Sequence, residues 1–461
     1  MKARIAPFAA ALLLGACSMI PPYQRPAAPV PAAWPQPAAA QGQLATELDW
    51  RDFFADAQLK RLIEIALQNN RDLRVAVLNI EQARAQYQIR RADELPMLNA
   101  LATASRQQPT TTGPGIASVY TAGFSVTAYE LDFFGRVRAL SQAAQASYLA
   151  TEEARKTAQI SLIAAAANGY LALLADDEQL ALTQQTLGTR EESLRLTRLK
   201  FDNCAASELD VRQAQSLHEA AKATLAQQQR QRALDENALM LLLGAPLPRE
   251  QAGPATTLAD DGLLADVNAG LSSEVLVRRP DVAQAEALLI AANANIGAAR
   301  AAFFPRITLT ASAGRASTQL SGLVGSGGSF AWSFAPQLLQ PIFDSGRNRA
   351  TLQSSETARD IAVAQYEKAI QTAFREVADA LAGRASFGEQ LRAQRAQAEA
   401  EAARFKLADL RYRNGAASYL DVLDAQRALF AAQQAAIQVR LAQLQNQVLL
   451  YKALGGGWRA P

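Results

Sequence analysis

Asn203-Cys204-Ala205-Ala206-Ser207-Glu208-Leu209-Asp210-Val211-Arg212-Gln213-Ala214-Gln215 returns as Asn414-Gly415-Ala416-Ala417-Ser418-Tyr419-Leu420-Asp421-Val422-Leu423-Asp424-Ala425-Gln426, with nine of thirteen positions identical at an offset of 211. The match belongs to a longer duplication. At an offset of 209, Asp72, Ala83, Ala85, Arg91, Ala92, Pro96 and Arg106 correspond to Asp281, Ala292, Ala294, Arg300, Ala301, Pro305 and Arg315. At 211, Gly135-Arg136 and Arg138-Ala139 correspond to Gly346-Arg347 and Arg349-Ala350. Units of about 200 residues are far longer than solenoid repeats, so the chain is a duplicated half-structure. The first repeat covers 51–250, a linker 251–270, and the second repeat 271–458.

Each repeat carries the same element order: helix, strand, hairpin loop, strand, very long helix, turn, long helix. Pro96 and Pro305 stop the first helices, because proline disfavours helix in the residue before it. Strands are expected at about 97–108 and 117–130, and again at about 306–317 and 329–340. Tyr120, Ala122, Phe124 and Val126 alternate with Thr121, Gly123, Ser125 and Thr127, and Phe330, Trp332 and Phe334 alternate with Ala331, Ser333 and Ala335. Period-two patterning with aromatics on one side suits a membrane strand, and Tyr120, Phe124, Phe330, Trp332 and Phe334 are the candidate lipid-facing residues. A half-buried strand of a soluble sheet carries the same pattern, and only its recurrence in both repeats favours a barrel.

The helices are unusually long. Arg347 to Arg413 contains no proline over 67 residues, enough to extend ~100 Å at about 1.5 Å per residue, with Gly383 and Gly388 as its weak points. Leu173, Leu180, Leu187, Leu194 and Phe201 recur every seven residues, a seam that a partner helix must cover. Four strands cannot close a barrel, and an open edge in lipid leaves backbone groups unsatisfied. The fold expected is therefore mainly α with a membrane β-barrel closed between the chains of a symmetric ring, in which a homotrimer would give 12 strands, continuous with a long α-helical tunnel.

The N-terminus points to the same surroundings. Lys2 and Arg4 precede the short apolar run Ile5 to Leu14, ending in Leu14-Gly15-Ala16-Cys17. Residues 1–16 read as a signal peptide and Cys17 as a lipidation site. Ser18 is not the aspartate that would suggest inner-membrane retention, so outer-membrane lipid is the expected partner. Residues 17–50 read as a tether, since Pro21, Pro22, Pro26, Pro29, Pro31, Pro35 and Pro37 favour extended chain. The run Ile160 to Leu174 is interrupted by Asn168 and Gly169, so no spanning helix is expected.

Composition narrows the function classes. Among 461 residues, 46 Lys+Arg face 43 Asp+Glu, a formal charge of +3 without a basic run, which gives no reason to expect nucleic-acid binding. One histidine, His218, cannot build the usual metal site or triad with a second, and two cysteines cannot form a disulfide framework. No phosphate loop, His-Glu-x-x-His or Gly-x-Ser-x-Gly motif occurs. No metal, no cofactor and no enzyme activity are expected.

The repeated stretch is the candidate site. Gly415 can take positive φ and turn the chain, and Ser418 can cap the following helix. Leu420 and Asp424 lie four apart on one helix face, about 6 Å along the axis. In a threefold ring they would form an apolar plug and an anionic constriction. The plainer reading, in which Ser418 caps and Asp421 and Asp424 favour the helix start, stands equally on the residues alone.

Several further motifs carry a resemblance: Leu48-Asp49-Trp50 with Phe53-Phe54, Arg279-Pro280-Asp281, Ala302-Phe303-Phe304-Pro305, the run from Arg411 to Arg427, and Leu450-Tyr451-Lys452-Ala453-Leu454-Gly455-Gly456-Gly457-Trp458. Together they resemble the TolC family of outer-membrane factors, in its lipoprotein, OprM-like branch, over essentially the whole mature chain. The resemblance implies a trimeric channel in the bacterial cell outer membrane. It would extend into the periplasm, dock onto a periplasmic membrane-fusion adaptor and an inner-membrane RND-type pump, and serve as a passive exit duct for drugs or other small molecules. It also implies a periplasmic gate at Leu420 and Asp424, and a stabilising link from Tyr412 to Asp210. Ala417 stands where TolC itself has arginine, so that contact is either absent or replaced by Arg411 or Arg413. Cys204 stands where the family has its first-turn glycine. Two other readings predict different sequences: a substrate-specific diffusion porin needs many more strands, and a structural coiled-coil envelope lipoprotein needs no aromatic strands.

Overall fold

The computed structural model describes residues 18–35, 43–45, 48–108, 117–248, 257–258, 262–268, 273–325 and 327–458. In chain order the elements are β1 (Gln43–Leu44), α1 (Trp50–Phe53), α2 (Ala57–Asn69), α3 (Arg71–Ala92), β2 (Leu98–Gln107), β3 (Ala117–Glu130), α4 (Arg136–Asp202) and α5 (Glu208–Leu243). They continue with β4 (Val267–Asn268), α6 (Pro280–Ala301), β5 (Arg306–Ser317), β6 (Ser329–Leu339), α7 (Arg347–Arg413) and α8 (Tyr419–Ala453). The chain forms two compact units, and both α4 and α7 run from one into the other. Neither unit is one sequence repeat, because each gathers matching segments of both.

The first unit holds a four-stranded antiparallel sheet in the order β2-β3-β5-β6. Its register aligns Ala100, Phe124, Ala313 and Trp332 across the four strands, with Val126, Ala311 and Phe334 in the neighbouring row. Directly opposed residues of antiparallel strands share a face, so the aromatic positions of both repeats lie on one side. On the other side Ser125, Ser312 and Ser333 form a row, and the Ser312 and Ser333 hydroxyls are 2.8 Å apart. Phe124, Trp332 and Phe334 are 61%, 70% and 61% exposed, an apolar face that the chain itself does not cover. At the end of β3 the Glu130 carboxylate takes a bidentate pair from Arg136 at 2.6 and 2.7 Å and a third contact from Arg306 at 2.6 Å.

The N-terminal arm docks on α6. Asn293 Nδ2 of α6 donates to the Pro21 carbonyl at 2.8 Å, and Arg25 forms a bidentate pair with Glu286 at 2.7 and 2.9 Å. Gly297 makes room: a Cβ there would lie 2.4 Å from the Ile20 side chain. In the second unit Trp34 stacks on Phe374 at 5.1 Å. Proline excluded helix, as its chemistry requires, but it did not exclude side-chain docking along a helix. Cys17 lies outside the described residues. The expected linker is also partly structured, since β4 pairs in parallel with β1.

The terminal motifs meet in the second unit. Tyr451 stacks on Phe53 at 4.0 Å, and its hydroxyl donates to the Leu48 carbonyl at 2.7 Å. Arg279, 7% exposed, grips Asp281 with two donors, Glu376 with a third contact at 2.7 Å and the Ala453 carbonyl at 2.6 Å. A buried guanidinium needs such a full set of acceptors. The heptad seam is buried at Leu173 and Leu194 but exposed at Phe201, where the helix approaches its turn.

Candidate functional site

The two repeated stretches form two helical turns in the same unit, and they are close copies. After α4, Cys204 takes φ +56; its N–H donates to the Phe201 carbonyl at 2.9 Å, and the Ala205 N–H to Lys200 at 2.7 Å. After α7, Gly415 takes φ +72; its N–H donates to Tyr412 at 3.0 Å, and the Ala416 N–H to Arg411 at 2.8 Å. These paired bonds close a helix end through a left-handed residue. The Asn203 and Asn414 side chains each donate to the carbonyl four residues earlier, at 2.7 and 2.8 Å. Cys204 therefore leaves the glycine turn unchanged in shape, and only its backbone strain differs.

Both following helices start in capping boxes. Ser207 caps α5, its N–H donating to Asp210 at 3.0 Å while the Asp210 N–H donates to the Ser207 hydroxyl at 3.2 Å. Ser418 and Asp421 repeat the arrangement on α8. Such reciprocal caps satisfy N–H groups that have no helical acceptor.

Within the chain's described residues no Tyr412–Asp210 hydrogen bond forms, and Asp210 Oδ2 accepts from the Ser207 N–H and hydroxyl. The Tyr412 hydroxyl instead accepts from Lys200 Nζ at 3.1 Å, with the ammonium 4.1 Å from the ring centroid. Tyr412 also lies 5.2 Å from the ring of Tyr419, whose hydroxyl is 2.6 Å from that of Ser193. Below these rings Leu194, Ala214, Leu217, Val422 and Leu423 form a buried cluster joining the two hairpins. Arg411 and Arg413 stay within their own hairpin: Arg411 donates to the Ala416 carbonyl at 3.3 Å, and Arg413 pairs with Asp409 at 2.8 Å.

Leu420 and Asp424 do share an exposed face of α8. Leu420 is 56% exposed and the Asp424 side chain 61%. Arg404 of α7 forms an ion pair with Asp424 and also reaches Glu401 at 3.1 Å. Sequence reasoning missed Arg404. A usable signal existed: opposite charges placed ten residues either side of Asn414 face each other when the chain folds back there.

A mainly helical chain with one open four-stranded sheet, an uncovered aromatic face and two capped helical turns defines an outer-membrane channel subunit with a helical periplasmic extension. The outer membrane efflux protein family matches residues 62–245 and 271–456, and the chain belongs to that family. It is 51% identical over 458 residues to the probable efflux pump outer membrane protein TtgC of Pseudomonas putida, covering 97% of this chain and 94% of TtgC. To the outer membrane protein OprJ of Pseudomonas aeruginosa it is 48% identical over 454 residues, with the same coverage of 97% and 94%. Among solved structures, the open-state MtrE outer membrane channel of Neisseria gonorrhoeae superposes with a TM-score of 0.87 at 41% identity, covering 96% of this chain and 98% of that one. A membrane protein from Pseudomonas aeruginosa gives a TM-score of 0.88 at 46% identity, covering 96% and 98%.

Proposed function

We propose that three copies close their sheets into one twelve-stranded barrel, and that their long helices form a tunnel through which small molecules leave the cell. Lipidation at Cys17 anchors each copy to the outer membrane. A periplasmic adaptor and an inner-membrane RND-type pump deliver the cargo, and the duct itself is passive. The observation that carries this reading is the sheet: among the described residues the outer edges of β2 and β6 have no strand partner, and the aromatic face has no cover. In lipid each unsatisfied backbone group costs several kcal/mol, so the edges of neighbouring copies must pair. Efflux named for TtgC, and the channel form named for MtrE, agree with that reading.

Leu420 and Asp424 serve in this account as the gate, with Arg404 setting how much of the Asp424 charge faces the lumen. The Lys200–Tyr412 contact and the aromatic cluster beside it hold the two hairpins in one arrangement. Disulfide trapping tests the assembly. In a Cys204→Ser background, Ser333→Cys on β6 is combined with single cysteines scanned along β2. The reading expects oxidation to give a ladder ending at a three-copy product. Chains that stay monomeric at every position would defeat it.

A further inference from the structure

The second unit contains a cavity of about 140 Å³ among α4, α7 and α8. Phe405 and Phe430 form its apolar wall and Arg190 and Gln426 supply polar groups, while the Thr186 and Thr189 hydroxyls on its rim donate to the Leu182 and Gln185 carbonyls at 2.8 and 3.1 Å. Arg190 is 5% exposed. Its Nη1 donates to the Leu217 carbonyl at 3.1 Å, and its guanidinium lies 5.1 Å from the Phe430 ring centroid. The Arg190 Nε is buried without a hydrogen-bond partner, and so is the Gln426 side-chain oxygen. Among the described residues no carboxylate pairs with Arg190. The neighbouring charge is instead another cation, Arg427; burial first, and then Arg427, lowers the Arg190 pKa from its ordinary value.

Duplication makes the gap conspicuous. The position equivalent to Arg190 in the second repeat is Glu401, which has its cation in Arg404. Arg190 has no counterpart of that kind. A guanidinium keeps its charge in proteins, so removing it from water calls for a compensating anion or full hydrogen bonding.

We propose that this cavity binds a small inorganic monoanion, chloride in the periplasm, held by Arg190 with the Gln426 amide. The Gln426 amide serves as donor once its nitrogen and oxygen are exchanged, an assignment that the hydrogen-bond network decides. An anion there ties α4 to α8 just behind the turn cluster, so occupancy stiffens the hairpin pair independently of how the barrel closes.

The test uses the full-length protein in detergent. Crystals grown with bromide replacing chloride should show an anomalous peak in this cavity in every copy, and Arg190→Gln should lose it. In solution, replacing chloride by gluconate at about 0.15 M ionic strength should lower the thermal midpoint of the parent more than that of Arg190→Gln. If Arg190→Gln does not fold, Gln426→Leu serves in its place, with a weakened bromide peak and a smaller chloride shift expected. Water alone in the cavity, a carboxylate of a neighbouring copy against Arg190, or equal midpoints for the parent in the two salts would each overturn the proposal.

Discussion

Arg404 on α7 and Asp424 on α8 form an ion pair across the helical turn, and both side chains remain open to solvent. An exposed pair of this kind adds little to stability, so under the proposed gate its consequence lies in the charge presented to passing ions. Arg404→Gln should leave assembly intact and raise cation selectivity in planar bilayers, while Asp424→Ala should lower it. Unchanged selectivity in both variants would return Asp424 to the role of a helix-start carboxylate.

The Lys200–Tyr412 contact predicts a second effect. Tyr412→Phe keeps the ring against Tyr419 but removes the hydroxyl that Lys200 donates to. On the proposed gate reading, Leu420→Ser widens the apolar plug. Both variants should conduct more than the parent as intact assemblies, because each weakens only the arrangement of the turns. Single-channel recording checks this; parent-like conductance in both would remove these residues from gating.

Cys204 holds a left-handed conformation that a side chain makes costly by roughly 1–2 kcal/mol. Cys204→Gly should stabilise the first turn by about 1 kcal/mol, and Cys204→Val should destabilise it. Amide exchange at Ala205, whose N–H closes that turn, provides the local readout.

The exposed aromatic face predicts asymmetric tolerance of charge. Phe124→Arg and Phe334→Arg should cost about 2–4 kcal/mol near the bilayer midplane, whereas Ser125→Arg and Ser333→Arg on the opposite face should assemble. Membrane fractionation of the four variants distinguishes them, and equal loss in all four contradicts the alternation.

Asp176 of α4 provides a pH dependence. Burial, and then the neighbouring Asp235 carboxyl on α5, push its carboxyl from 3.8 up to about 7. The folded state thus binds this proton more tightly than the unfolded chain, so the stability it contributes is complete below about pH 4 and lost as pH rises through about 7. The difference in thermal midpoint between Asp176→Asn and the parent should widen over that interval. A constant difference would contradict the assignment.

What the sequence made legible was local or periodic. Gly415, Ser418 and the two prolines act on the adjacent backbone, and the strand alternation at Phe124 and Trp332 repeats every second residue. The duplication then extended each such sign to the other half. Less legible were contacts set by how helices pair, such as that of Lys200 with Tyr412. Arg404, Lys200 and Arg190 sit on polar helix faces whose composition resembles any solvated surface. The docking of Pro21 and Arg25 on α6 likewise depends on Asn293 and Glu286, more than 260 residues away.

The intermolecular closure of the sheet carries the whole account, and direct imaging of the detergent-solubilised full-length protein by single-particle electron microscopy tests it. The predicted result is a threefold particle with a closed twelve-stranded barrel leading into a helical tube, β2 of each copy paired with β6 of the next. Single-chain particles, a different number of copies, or sheets left open at β2 and β6 would contradict it.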